Sequence, residues 1–207
     1  MAIQRFADVG RLAASLFRRE RRVPDLTHAV VAFRPYTDDV PTGVALASAA
    51  FLALPDDPAH EDGGVTVVSD VDALRAALVQ RIEAFIAPAI APLSARSHLG
   101  EKALWGLAGY GALVSVAEAY AADGRPETGA RELDALYVHA TRFRLAPSTA
   151  EIVTVDEEAH LVLCLGACCR MYLWPGGREK CAACPLRGRD DRIAQQLQPD
   201  GEREPRE

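Results

Sequence analysis

The chain has 207 residues, of which 49% are hydrophobic and 25% charged, and its formal net charge is −6. These values are typical of one globular domain with a single sizeable core. The negative charge argues against a protein that coats nucleic acid or an anionic membrane. The uncharged apolar stretch at residues 103–117 is shorter than the ~20 residues of a membrane-spanning helix. We therefore expect neither nucleic-acid binding nor stable membrane insertion.

The first 22 residues combine six arginines with apolar residues at roughly helical spacing. Two interpretations are open: an organellar transit peptide, or an amphipathic first helix that packs on the core. We favour the helix. A secretory signal is disfavoured because arginines interrupt every apolar run. The apolar positions are Ile3, Phe6, Leu12, Leu16 and Phe17.

Short strands and then helices are predicted along the next hundred residues. Residues 28–34 and 65–68 predict strands, while the run 44–54 is compatible with a strand or a buried helix. A helix follows the capping-box pattern of residues 69–72 and is expected to kink or end at Pro88 and Pro92. Further helices are predicted over 99–122 and from Pro126, the last with an inward face of Leu133, Leu136, Tyr137, Ala140 and Phe143.

The C-terminal part predicts a β-hairpin that leads into a cysteine-rich loop. Residues 151–155 and 160–165 form its strands, a short helix follows near 190–196, and the charged residues 198–207 predict a disordered tail. The expected fold class is α+β. It is a single domain over residues 1–197 with a small antiparallel sheet and several packed helices.

All five cysteines lie within 21 residues, and the first 163 residues contain none. A disulfide framework would link distant parts of the chain, so this crowding indicates a metal or redox site in a reducing compartment. We therefore expect a cytoplasmic protein. The cysteines are Cys164, Cys168, Cys169, Cys181 and Cys184.

The last four cysteines match the ligand complement of an iron–sulfur cluster. Four cysteines also hold structural zinc, usually from two C-x₂₋₄-C knuckles, but the first pair here is vicinal, which favours the wider binuclear cluster. A thioredoxin-like redox pair at Cys181 and Cys184 lacks its βαβ context. Cys164 lies on an apolar strand and is most simply a buried core residue, with a role as a substitute ligand as the alternative.

The cysteine loop is basic in a chain that is acidic overall. Residues 170–192 contain six basic and three acidic residues, and a turn is predicted at residues 175–177. Cations near a thiolate-ligated cluster would offset its negative charge and raise its reduction potential. The simpler interpretation is a solvated basic loop.

The segment 168–186, CCRMYLWPGGREKCAACPL, resembles the C-terminal signature of the FhuF-like ferric siderophore reductases. That signature has a vicinal cysteine pair, an aromatic stretch with a Pro-Gly turn, and C-x-x-C-P. Leu104-Trp105-Gly106 is similar to a Leu-Trp element of the same family. Eleven residues separate the cysteine pairs here, one more than the family pattern, and the extra residue is expected near the 175–177 turn.

The resemblance implies a [2Fe–2S] cluster held by Cys168, Cys169, Cys181 and Cys184, in a cytoplasmic enzyme that reduces ferric siderophores. Hard oxygen ligands hold Fe(III) much more tightly than Fe(II), so one electron loosens the metal. No nucleotide or flavin fingerprint is present, so we expect a separate electron donor, either a reductase or a ferredoxin. Two alternatives remain: a non-catalytic iron–sulfur electron carrier and a zinc-stabilised interaction domain.

No catalytic residue is predicted beyond the cluster ligands, and the substrate-binding residues are unknown. The histidines lack ligand spacing and are expected in structural or surface roles, while two central aromatic residues are expected in the core. Three residues of the cluster loop are candidates for contact with a chelate. The histidines are His28, His60, His98, His139 and His160. The two central aromatic residues are Trp105 and Tyr110. The candidates for contact with a chelate are Arg170, Tyr172 and Trp174.

Overall fold

The computed structural model describes residues 2–32, 43–173 and 179–198. They form an α+β domain, as predicted. The helices are α1 (Ala2–Glu20), α2 (Val71–Arg96), α3 (Glu101–Gly109), α4 (Ser115–Ala122), α5 (Pro126–His139) and α6 (Arg189–Leu197). The strands are β1 (Val23–Pro24), β2 (Val30–Ala32), β3 (Gly43–Ala45), β4 (Phe51–Ala53), β5 (Val65–Val67), β6 (Thr149–Val155) and β7 (Glu158–Cys164).

The core lies among α1 to α5. Val9, Ala13 and Phe17 of α1 are fully buried, and α1 packs against α2, α3 and α4. The first helix is therefore docked on the core, which is the interpretation favoured from the sequence. The predicted helix over 99–122 is continuous but contains a π-helical turn, Tyr110–Val114, between α3 and α4. All five residues predicted on the inward side of α5 and just after it are buried.

Helix α2 begins and ends differently from the prediction. Its N-cap is Asp70, whose carboxylate accepts from the Ala73 amide at 2.8 Å, so the cap lies one residue later than the capping-box pattern suggested. The helix also continues through Pro88 and Pro92 to Arg96. Both prolines are on the exposed side, where water can satisfy the carbonyls that lose their amide donors.

Helix α2 is also long and apolar enough to cross a bilayer, and it is the single such helix in the described part of the chain. Here it packs against α1, α3 and α5. Its residues Leu74, Leu78, Ile82 and Ile86 are fully buried. These contacts are consistent with the core helix of a soluble protein.

The strands form three small sheets. The run 44–54, left open between strand and helix, contributes β3 and β4. Strand β4 pairs antiparallel with β1 and parallel with β5, so the first sheet is mixed rather than antiparallel. Strands β2 and β3 pair antiparallel. The predicted strand over 28–34 is observed as β2, and its last two residues lie outside the described ranges.

The C-terminal hairpin is confirmed. Strands β6 and β7 pair antiparallel from Thr149↔Cys164 to Val155↔Glu158. Asp156 and Glu157 take φ angles of 49° and 68°, as a two-residue type I′ turn requires at both central positions. The hairpin packs on α5, and α6 confirms the short helix predicted after the cysteine loop. The predicted tail lies outside the described residues from position 199 onward.

A buried carboxylate positions the chain before the hairpin. Glu83 of α2 is 8% exposed, and its Oε1 accepts hydrogen bonds from the amides of Thr141, Arg142 and Phe143 at 3.0, 2.7 and 2.8 Å. A charged acceptor strengthens such bonds. Glu83 thereby fixes the segment between α5 and β6 onto the core.

Removing this carboxylate should destabilise the fold. Glu83→Ala leaves up to three amides without an acceptor, so we expect a loss of about 2–4 kcal/mol in the free energy of unfolding. Glu83→Gln keeps one oxygen and should lose roughly half as much. Denaturant unfolding measures both, with the exposed α2 variant Gln80→Ala as the control. Equal stability of Glu83→Ala and Gln80→Ala would contradict the role given to Glu83.

Candidate metal centre

Strand β7 delivers the chain to the cysteine loop through a very close backbone approach. Gly166 lies against Ala146, and a Cβ at position 166 would overlap the Ala146 carbonyl. The Gly166 amide donates to the Ser148 hydroxyl at 3.2 Å, and the Ser148 amide donates to the Tyr137 hydroxyl at 3.0 Å. The entry to the loop is therefore fixed to the end of α5.

The Leu104-Trp105-Gly106 element lies next to this entry. A Cβ on Gly106 would lie 2.9 Å from the Ala146 carbonyl oxygen and 3.0 Å from Ala167 Cβ. Trp105 is 4% exposed and packs edge-on against Phe143, with ring centroids 5.7 Å apart. The element thus packs tightly against Ala146 and against Ala167, which directly precedes the vicinal cysteines. Trp105 is a core residue, as expected.

The two halves of the cysteine motif meet beyond this element. The Leu165 amide donates to the Ala183 carbonyl at 2.9 Å, and the sulfurs of Cys168 and Cys184 are 3.9 Å apart. Cys184 is 2% exposed, Cys168 and Cys169 are half-buried, and Cys181 is exposed. One side of the site therefore faces the core and the Cys181 side faces solvent.

The other three thiols of the motif act on the pKa of Cys181. Its pKa is raised to about 11, first by desolvation of the sulfur, although the residue as a whole is exposed, and then by Cys184, Cys169 and Cys168. Burial also raises the pKa of Cys168, while the Arg170 amide, which donates to its sulfur at 3.4 Å, acts in the opposite direction. The structure thus brings the four predicted ligands into one neighbourhood.

The donor set fits a metal bound by thiolates. Two sulfurs on one tetrahedral ion with metal–sulfur bonds of about 2.3 Å lie about 3.8 Å apart, close to the 3.9 Å between Cys168 and Cys184. The sulfurs of Cys168 and Cys184 are therefore at ligand separation. Within the described residues, however, no three Cys, His, Asp or Glu side chains form a ready metal site.

Two residues that sequence reasoning missed hold the second half of the motif. Arg187 donates from Nε to the carbonyls of Lys180 and Cys181, both at 3.1 Å, and pairs with Asp191 at 2.8 Å. Gln196 of α6 bonds both backbone groups of Leu163, at 2.9 and 2.8 Å, and also donates to the Ala182 carbonyl between the last two cysteines at 3.4 Å. Arg187 was counted only as part of a basic excess, and no local pattern singles out Gln196.

Tyr110, expected in the core, is half-buried in the π-helical turn. Its pKa is raised to about 12, first by burial and then by Glu118 and Cys181. π-Helical turns are frequent at functional sites, and this one could not be inferred from the helical periodicity.

Cys164 is half-buried rather than part of the core, so that prediction was wrong. Along β7 the side chains alternate between the two faces of the hairpin. Val162, on the same face as Cys164, is 1% exposed. This face is therefore covered along its middle and opens at Cys164, which pairs with the exposed Thr149 at the end of the hairpin.

The histidines lie in structural or surface positions. His60 Nδ1 is 2.8 Å from the Asp57 carbonyl oxygen, and His139 Nε2 is 3.0 Å from a carboxylate oxygen of Asp72. His28 and His98 are exposed and His160 is half-buried. Trp174, Arg178 and the predicted turn at 175–177 lie outside the described residues.

A comparison of the chain with protein-family models, curated proteins and solved structures found no match. The resemblance to the siderophore reductases therefore depends on the cysteine motif itself. Three structural features are independent of that resemblance: the C-terminal hairpin, the close packing of Gly106 and Gly166 on Ala146, and the meeting of the two halves of the cysteine motif.

The close packing of Gly166 on Ala146 can be tested by adding one methyl group. We expect Gly166→Ala to cost about 1–3 kcal/mol, because the new Cβ overlaps the Ala146 carbonyl, and to weaken metal binding by the cysteines. The matched control is Gly188→Ala, where no atom lies within 4 Å of the added Cβ. Thermal unfolding and cobalt titration measure the two effects. Equal thermal stability and equal cobalt affinity of the two variants would refute the role given to the packing of Gly166.

Metal loading should release thiol protons. Because the pKa values of Cys168 and Cys181 are raised, these thiols hold their protons at neutral pH and a metal must displace them. We expect the affinity for Co²⁺ to fall as the pH decreases from about 8 to 6, with nearly four protons released per metal at about pH 7. Calorimetry in buffers of different ionisation heat counts the protons. Cys164→Ser should behave as the parent, and release of about one proton or none would contradict four-thiolate binding.

Proposed function

We propose that the protein is a [2Fe–2S] ferric siderophore reductase of the cytoplasm. The observation that carries the proposal is the gathering of Cys168, Cys169, Cys181 and Cys184 at the end of the hairpin, with one sulfur pair 3.9 Å apart. Five cysteines within 21 residues suit a reducing compartment better than a disulfide framework does. The four would hold the cluster as thiolates, and the cluster, when bound, supplies a one-electron carrier.

The surrounding residues suit such a carrier. The buried side, formed around Cys184, excludes water, while Cys181 offers an exposed edge for electron transfer. The Arg170 amide donates to the Cys168 sulfur, and hydrogen bonds to ligand sulfurs raise a cluster's reduction potential. Little acid–base machinery is needed, because Fe(II) leaves hard oxygen ligands far more readily than Fe(III).

A zinc-stabilised interaction domain is the second candidate. The 3.9 Å sulfur separation suits a tetrahedral zinc ion as well as iron. The vicinal pair Cys168-Cys169 favours the cluster, because zinc sites are typically built from two spaced cysteine pairs. The two candidates differ in colour, redox activity and labile sulfide.

Metal content decides between them. Protein expressed with ample iron and purified without oxygen should contain about two iron and two sulfide per chain and should bleach with dithionite. Serine at Cys168, Cys169, Cys181 or Cys184 should lose or distort the cluster. The matched control, Cys164→Ser, should keep it. Stoichiometric zinc without sulfide would overturn the proposal, and cluster loss in a folded Cys164→Ser would overturn the ligand assignment.

Turnover separates a reductase from a non-catalytic electron carrier. The reduced protein should pass one electron to a ferric siderophore and return to its oxidised spectrum. Stopped-flow mixing with hydroxamate, catecholate and carboxylate chelates, with a strong Fe(II) chelator to trap the product, measures the rates. We expect at least one chelate class to reoxidise the protein faster than ferric citrate does. If none does, the electron-carrier function replaces the reductase.

A further inference from the structure

The exposed Cys181 side of the cysteine site borders a surface of basic and apolar side chains. Lys180 precedes Cys181, its Nζ lies 5.9 Å from the centre of the Tyr172 ring, and it donates to the Leu186 carbonyl at 3.4 Å. Lys180 thus joins the 3₁₀ turn Met171–Leu173 to the loop that carries Cys181 and Cys184. We call the surface formed by Arg170, Tyr172, Leu173, Lys180 and Leu186 the basic face.

The basic face combines projecting apolar side chains with positive charge. Leu173 is 63% exposed and Leu186 is 51% exposed. Single exposed leucines are ordinary, but Leu173 follows Cys169 by four residues and Leu186 follows Cys184 by two. Side chains this exposed project from the surface and do not line a cavity, so they suit an apolar patch on a second protein better than a small chelate.

Nearby carboxylates pair with arginines that lie outside the basic face. Arg187 pairs with Asp191 and Glu179, and Arg189 with Glu151. Arg170 and Lys180 take part in none of the ion pairs found in residues 2–32, 43–173 and 179–198. In a chain with a net charge of −6, they form a local positive region beside Cys168 and Cys181.

We propose that the basic face docks an acidic electron-transfer protein that donates one electron to the cysteine site through the Cys181 edge. This inference rests on the proposed function. One electron leaves the reduced centre of the donor and one is gained by the four-cysteine site, with no bond or proton exchanged. Complexes of this kind bury little area and depend on complementary charge for their association rate. The overall negative charge of the chain would repel an acidic donor elsewhere, so the basic face would also orient it.

Binding tests the proposal without any turnover. The probe is an oxidised ferredoxin with an acidic surface, titrated into the purified protein at low and at near-physiological ionic strength. We expect Arg170→Glu with Lys180→Glu to weaken binding about tenfold or more at low salt. Leu173→Ser with Leu186→Ser should weaken it at both salt concentrations. The charge control is Arg19→Glu, on an exposed position of α1. Its neighbour Arg18 pairs with Asp123 at the end of α4. The control should change binding less than about twofold.

Reduction kinetics supply the second measurement. The rate of reduction by the reduced ferredoxin should fall about tenfold in the charge-reversed variant and lose its salt dependence, whereas reduction by dithionite should change far less. Failure of the parent protein to bind the ferredoxin, or equal weakening in Arg19→Glu, would overturn the docking proposal. The docking proposal would also be overturned if the variants of the basic face lost binding to an anionic ferric catecholate but still bound the ferredoxin. The basic face would then be a chelate site. A protein that lacks iron and sulfide fails the proposed function, and the binding titration still decides the docking.

Discussion

The contact of Gly166 with the Ala146 carbonyl is the constraint on which the candidate site depends. It lets the chain after the last strand pack directly against the segment that leaves α5, and Gly106 packs on the same residue from α3. On one side Glu83 fixes the segment that leaves α5 to α2. On the other side the chain enters the vicinal cysteines. A rigid helical core is thereby coupled through one small junction to a loop that otherwise has little secondary structure.

Charge and burial divide the cysteine loop into two functional sides. Cys184 faces the core at 2% exposure, whereas Cys181 faces solvent among basic residues. In the proposed cluster site, the buried side would limit access of water and the exposed side would allow electron exchange with another molecule. Because the pKa of both Cys168 and Cys181 is raised, a bound metal would have to displace their protons. The same groups would therefore link metal binding to pH.

Elements with strong local signals were predictable from the sequence, and those set by tertiary contacts were not. The hairpin, α5 and the docked first helix follow from alternation, helical spacing and turn residues. The passage of α2 through Pro88 and Pro92 depends on which side of the helix faces solvent, and the parallel pairing of β4 with β5 depends on the fold. The four cysteines were predicted as one site from their spacing. Arg187 and Gln196, which hold that site in place, act through backbone contacts that leave no mark in the sequence.

We have proposed that these four cysteines bind a pair of irons that accepts one electron. Mössbauer spectroscopy of protein enriched in ⁵⁷Fe tests it most directly, because it resolves the valence of each iron. The oxidised protein should contain only ferric iron in a diamagnetic ground state, and after dithionite about half of the iron should be ferrous. Absence of bound iron, or iron that is present as isolated single sites, would contradict the account.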